Sequence, residues 1–217
     1  MLRLTQRTLH AIFKPMKRTE TETALLAELK QRITENGRAV VAIDGNAASG
    51  KTTLAAQIAE YFAPQCSVNV FHMDDFFLPP ALRTPERLSE PGGNVHYERF
   101  RSEVLAGVAA NAPFSYGVFD CSVMAITHSV AAEPAALSII EGAYSMHPYF
   151  GAPYDLRVFL SATAETQRAR ILRRNGAEML TRFETIWIPM ENRYFEAFRI
   201  REQCDFVLRA EETAAEN

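Results

Sequence analysis

Lys51 and Thr52 close a loop almost without side chains, within VVAIDGNAASGKTTLAAQIAEYF, residues 40–62. Gly45, Gly50, Lys51 and Thr52 fit the spacing G-x-x-x-x-G-K-[ST], a tight turn between a strand and a helix. A phosphate chain needs many donors at close range, and backbone N–H groups supply them only where side chains do not block the approach. Gly45, Asn46, Ala47, Ala48, Ser49 and Gly50 leave that approach open. Thr52 and Thr53 begin a helix whose free N–H groups and dipole favour an anion. Lys51 can reach the β- and γ-phosphates of a nucleoside triphosphate, and the Thr52 hydroxyl can bind Mg²⁺. A ligand-free strand-to-helix turn would explain the glycines but not the Lys-Thr pair.

Three further groups of residues could act on such a ligand. Asp74 and Asp75 end an apolar run in HMDDFFLPP. Ligands of open α/β sheets sit beyond the carboxyl ends of the strands, so these aspartates are expected beside the loop. A carboxylate there can orient an acceptor hydroxyl and take its proton, or hold water on a metal. We assign the base to Asp74, and the metal's outer shell or a turn to Asp75. Glu141 ends another apolar run, in ALSIIEG, where a carboxylate can hold the hydration shell of Mg²⁺. Arg168, Arg170, Arg173, Arg174 and Arg182 crowd one segment, with Gly176 as a hinge. Arg170, Arg173 and Arg174 share a helix face. That face is either simply solvated or a lid over the phosphates. As a lid, Arg170 and Arg174 would stabilise the transferred phosphoryl group and Arg173 would hold the nucleotide.

Regular elements must position these residues. AVVAID, SVNVFHM, ALSIIEG, LRVFLS and DFVLRA are continuous apolar runs, the pattern of strands covered on both faces in a parallel sheet. Helical spacing runs from Thr23 to Asn36, with Gly37 as its stop, from Thr52 to Phe62, and through the charged region from Thr163 to Arg201. The order is βαβ, an excursion, then βαβ, which predicts an α/β, doubly wound, mostly parallel sheet with helices on both faces. The excursion spans residues 78–133. It opens on a Pro- and Gly-rich stretch, then holds a helix in YERFRSEVLAGVAA and a hairpin in FSYGVFDCSVMAITHSVA. An insertion of that size suits acceptor recognition. We read one domain over 1–217, with a helical N-terminal segment (1–36) and an arginine-rich lid (168–184).

Composition excludes several classes. A net charge of −3 with both signs dispersed gives no nucleic-acid surface. No apolar run reaches membrane-spanning length. Cys66, Cys121 and Cys204 are odd in number and in no metal-ligand pattern, which predicts reduced thiols and a cytoplasmic protein. The basic start, MLRLTQRTLHAIFKPMKR, lacks the apolar core of a secretory signal, and a plain helix is expected there. An N-K-x-D element for guanine is missing. A nucleotide-dependent switch would need no hydroxyl base, so the aspartates favour a kinase. Self-association stays open.

GNAASGKT, DDFF, EG after the later strand, and the arginine segment together resemble the uridine kinase-like branch of the P-loop kinases. That branch includes uridine/cytidine kinase, phosphoribulokinase, bacterial pantothenate kinase and nicotinamide riboside kinase. The resemblance covers about Arg38 to Leu208. It implies a P-loop NTPase fold, ATP and Mg²⁺ as cofactors, Asp74 as base and a small hydroxylated acceptor. A nucleoside such as uridine leads; nicotinamide riboside, pantothenate or a sugar phosphate are alternatives. It also implies acceptor contacts in the excursion: His96 and Tyr97 in GGNVHYERF, with Glu98 nearby, then Phe119 with Asp120, and His128 in the hairpin. Nucleoside kinases of this branch use a hairpin Tyr and His there, a pattern this sequence matches only loosely.

Overall fold

The computed structural model describes residues 19–210, so the basic start read above as a helix lies outside the described residues. Five strands form one parallel sheet: β1 (Ala39–Gly45), β2 (Val68–His72), β5 (Leu137–Glu141), β6 (Leu156–Ser161) and β7 (Phe206–Arg209). Their order is β2-β5-β1-β6-β7, with every neighbouring pair parallel. Strands β3 (Phe114–Asp120) and β4 (Ala125–Ala132) pair antiparallel as a separate hairpin.

Alternation along the strands explains why the runs are apolar throughout. Ala39, Val41 and Ile43 of β1 pack with Leu137, Ile139 and Val158 on one face. Ala42, Phe71, Ile140 and Phe159 pack on the other. Helix α1 (Glu20–Asn36) and helix α2 (Lys51–Phe62) cover the first face through Leu25, Leu29, Leu54 and Ile58. Burying each such side chain contributes about 1.5–3 kcal/mol. The second face carries the excursion and the C-terminal helical region, through Phe76, Phe100, Tyr144 and Tyr194.

Helix α1 starts three residues earlier than the apolar spacing indicates. Thr19 and Glu22 form a reciprocal capping box: the Glu22 N–H donates to Thr19 Oγ1 at 3.1 Å, and the Thr19 N–H donates to Glu22 Oε2 at 2.8 Å. Gly37 ends the helix at φ 75°. The excursion contains a short helix, α3 (Pro85–Ser89), and a longer helical stretch, α4 (97–110). Beyond β6 come α5 (Ala164–Arg182), a widened turn over Phe183–Trp187, and α6 (Ile188–Phe198). No helix among the described residues is long and apolar enough to cross a membrane. Cys66, Cys121 and Cys204 are all free thiols.

Candidate active site

Strand β1, flanked by β5 and β6, delivers the glycine-rich loop to the middle of the sheet's carboxyl edge. Gly45 has φ 141°, and a Cβ there would lie 2.1 Å from the Leu160 carbonyl oxygen. Only glycine lets the loop leave the strand so close to β6. Gly50, at φ 104°, begins α2. Ala48 is held at φ 55° without being glycine, a strained conformation that its surroundings must stabilise.

Those surroundings come from both C-terminal helices. Arg170 Nη1 donates to Ala48 O at 3.1 Å and Ser49 O at 3.0 Å. The Ala47 N–H donates to Glu191 Oε2 at 2.9 Å. One turn along α6, Tyr194 Oη donates to Asp44 Oδ2 at 2.8 Å, and the Gly45 N–H donates to Asp44 Oδ1 at 2.8 Å. The Ala162 N–H donates to Asn46 Oδ1 at 3.1 Å. Lys51 Nζ folds onto the loop and donates to Gly45 O at 2.8 Å and Asn46 O at 2.9 Å. Burial raises the Asp44 carboxyl to about 6, against the pull of Lys51. It raises Glu191 to about 7, again opposed by Lys51.

The strand ends supply further side-chain oxygens. Register places His72 and Ile43 on either side of Glu141. The buried Glu141 accepts at Oε1 from Thr52 Oγ1 at 3.1 Å, and His72 Nδ1 lies 2.5 Å from the same oxygen. That bond raises the His72 imidazole. Asp74 lies in a tight turn after β2 and lines the cavity. Desolvation raises its carboxyl, Glu141 adds to the effect, and Lys51 opposes it. Asp75 does not line the cavity. Its carbonyl accepts from Arg99 Nη2 at 2.8 Å, and burial raises its carboxyl against the influence of His72.

Helix α5 breaks at Gly176, which sits at φ 81° and ψ 173°. Before the break, Arg170, Arg173 and Arg174 face a cavity of about 1240 Å³, lined also by Lys51, Thr52, Thr53, Asp74 and Glu141. Arg168 instead pairs with Glu184, and Arg182 lies over Trp187.

The excursion residues expected to meet an acceptor do not line this cavity. His96 accepts the Arg99 N–H at 3.4 Å, capping α4, and faces Glu98 at 3.2 Å. Tyr97 Oη donates to Glu90 Oε2 at 3.0 Å, and its ring stacks on His147 at 4.4 Å. Phe119 is buried. Asp120 turns back to accept from the Ser122 N–H at 2.7 Å. His128 lies exposed beside Thr127 Oγ1 at 3.0 Å. The wall beyond Asp74 is formed by Phe77, Asn94, Cys121, Tyr144 and Glu191. Sequence reasoning missed these residues. For Glu191, the available signal was a carboxylate one helical turn before an aromatic residue in WIPMENRYF.

A parallel sheet with a glycine-rich loop at its central strand, a carboxylate on the neighbouring strand and an arginine segment across the cleft defines the P-loop kinase fold. Within that class, the chain has the fold of the uridine kinase-like branch. A provisional fructose transport system kinase from Silicibacter sp. TM1040 superposes with TM-score 0.68 at 22% identity, over 87% of this chain and 99% of that one. A possible uridine kinase from Bacillus stearothermophilus gives 0.61 at 21%, over 85% and 99%. D-glycerate 3-kinase from Cryptococcus neoformans var. grubii gives 0.65 at 12%, over 91% and 98%. No protein-family model matches the chain, and no curated protein matches it.

Proposed function

We propose that this protein transfers the γ-phosphate of ATP to a hydroxyl of a small molecule, with a nucleoside such as uridine as the leading acceptor. One observation carries the reading: Lys51, Thr52, Asp74, Glu141 and three arginines of α5 line a single cavity. A switch or motor would use the loop without a carboxylate placed like Asp74. The kinase fold supports a small-molecule acceptor. The excursion, packed on the same face of the sheet as α6, supplies the wall against which such an acceptor would sit.

The residues present fit Mg²⁺. Thr52 Oγ1 and Glu141 Oε1 are hard oxygen donors 3.1 Å apart. The described residues contain no cluster of three or more His, Cys, Asp or Glu side chains able to hold a metal. An ion bound largely through phosphate and water, with few protein ligands, is the usual habit of Mg²⁺. When bound, the ion would neutralise charge between the β- and γ-phosphates. Lys51, released from its two loop carbonyls, would turn to the same phosphates. Asp74 would orient the acceptor hydroxyl and take its proton, a role that its raised carboxyl suits. Arg170 and Arg174 would stabilise the transferred group from the opposite side, and Arg173 would hold the nucleotide.

Transfer from labelled ATP to a panel of hydroxylated acceptors tests the reading. Lys51→Ala should lower turnover by roughly 10²-fold or more, the scale of losing one transition-state donor. Near-normal transfer by a folded Lys51→Ala protein would overturn it.

A further inference from the structure

Glu191 reaches the cavity from α6, far in sequence from the other residues of the site. Its Oε2 takes the Ala47 N–H. Its Oε1 has no hydrogen-bond partner among the described residues. Glu191 lines the same cavity as Asp74 and feels the charges of both Lys51 and Asp74. Tyr144 lies within reach of the Glu191 charge, and Asn94 lines the same cavity with its Oδ1 buried and unpartnered. Asp74, Asn94, Tyr144 and Glu191 thus make one polar wall.

The charges in the cavity are unevenly placed. Its lining cations are Lys51, Arg170, Arg173, Arg174 and Arg209. Lys51 and Arg170 sit on loop carbonyls. Arg209 ends β7, at the opposite edge of the sheet from β2 and its Asp74 turn. Arg173 and Arg174 lie on the segment expected to cover the phosphates. Arg174 partly offsets Asp74. The polar wall therefore carries two carboxylates and no cation of its own within the cavity lining; Arg193, whose charge reaches Tyr144, lies outside that lining and donates to the Leu88 carbonyl. A second negative charge brought against it, in a cleft already holding a triphosphate, would be repelled.

We propose that Glu191 is a specificity residue whose Oε1 accepts a second hydroxyl of the acceptor while Asp74 faces the first, so that the acceptor is a polyhydroxy compound without negative charge. The inference rests on the phosphotransferase reading and narrows its acceptor. It sets aside phosphorylated sugars and carboxylic acids, and it moves acceptor recognition from the hairpin to α6.

The test is labelled-ATP transfer at pH 8, where Glu191 is mostly ionised. The probes are uncharged ribonucleosides, pentoses and hexoses beside D-glycerate and hexose phosphates, with the wild type and Glu191→Gln. Transfer is expected to uncharged probes and not to anions. In Glu191→Gln the acceptor KM should rise about tenfold, the difference between a charged and a neutral hydrogen bond. The ATP KM should change less than about twofold, because glutamine still offers an oxygen to the Ala47 N–H. Transfer to an anionic probe with none to uncharged ones would keep the phosphotransferase reading and overturn this proposal. No transfer to any probe would remove both. A rise in the ATP KM alone would make Glu191 a brace of the loop and overturn its acceptor role.

Discussion

At Asp74 the carboxyl faces the cavity that Lys51 also lines, whereas Asp75 turns toward His72 and Arg99. Asn at position 74 keeps shape and hydrogen bonding but accepts no proton. Asp74→Asn should therefore lower kcat by about 10²-fold or more with ATP affinity close to normal, and Asp75→Asn should not. Steady-state kinetics on both variants checks this, and a kcat loss confined to Asp75→Asn would reverse the assignment. Glu191 gives a stability prediction with a definite sign. Its folded carboxyl is raised from 4.5 to about 7 by burial, so the fold disfavours the ionised form, and stability falls as pH rises from about 4.5 to 7. Glutamine does not titrate. The Tm of Glu191→Gln relative to wild type should rise across that window and level off above it; a difference independent of pH would remove burial as the cause. The phosphate loop was legible in sequence because its donors are consecutive backbone groups. Glu191 and Asp44 were not, because each acts through a partner more than a hundred residues away.

Helix α5 shows what an element adds to its residues. The i, i+3, i+4 spacing that placed Arg170, Arg173 and Arg174 on one face held, and all three line the cavity. Gly176 reads in the sequence as a hinge; in the structure it is a break in the helix with φ 81° and ψ 173°. That region is open essentially to glycine alone, and another residue there costs about 1–3 kcal/mol. No atom lies within 4 Å of a Cβ built on Gly176, so Gly176→Ala meets backbone strain rather than a clash. The chain can relieve that strain by running the helix straight through, which turns residues 177–182 relative to Arg173 and Arg174. Turnover should fall about tenfold or more with little change in Tm. Hydrogen exchange across 175–182, with and without an ATP analogue and acceptor, should show protection gained on binding in wild type. Equal protection in both states would reduce the arginines to a solvated face. The hairpin shows the limit of element-level reading. Strand alternation gave its two faces, but not which one would pack on Phe71 and Phe76 through Tyr116.

Across the whole molecule, the excursion is fastened to the C-terminal helices through His147. Its ring stacks on Tyr97 at 4.4 Å and lies parallel to Tyr194 at 6.2 Å, while Nε2 faces Pro91 O at 3.3 Å. Burial lowers this imidazole from 6.5 to about 4. The fold therefore favours the neutral ring, and stability is lost as pH falls from about 6.5 to 4. His147→Phe keeps the stacking and removes the titration, so its Tm should fall less over that interval than wild type's. Scanning calorimetry at pH 4 and 6.5 measures the difference, and parallel losses would place the acid sensitivity elsewhere. The doubly wound sheet was readable from the apolar runs, since covered strands need no alternation. The joint at His147 was not, because stacking of three rings from distant segments leaves no periodic trace.

Strands β2 and β5 are neighbours in the sheet, yet residues 73–136 run between them. A parallel pair needs only a dozen or so residues to cross back. Most of that stretch is therefore surplus to the architecture. The nucleotide half of the cleft is built from β1, α2 and the strand ends, with α5 and α6 bracing the loop from outside that stretch. Mutation can recolour the exposed parts of the excursion, away from Phe100 and the joint at His147, while the phosphate loop keeps its geometry. The fold thus separates a braced phosphate-handling half from an acceptor wall shared by the excursion and α6, and one chassis can be retuned to new acceptors by changing that wall.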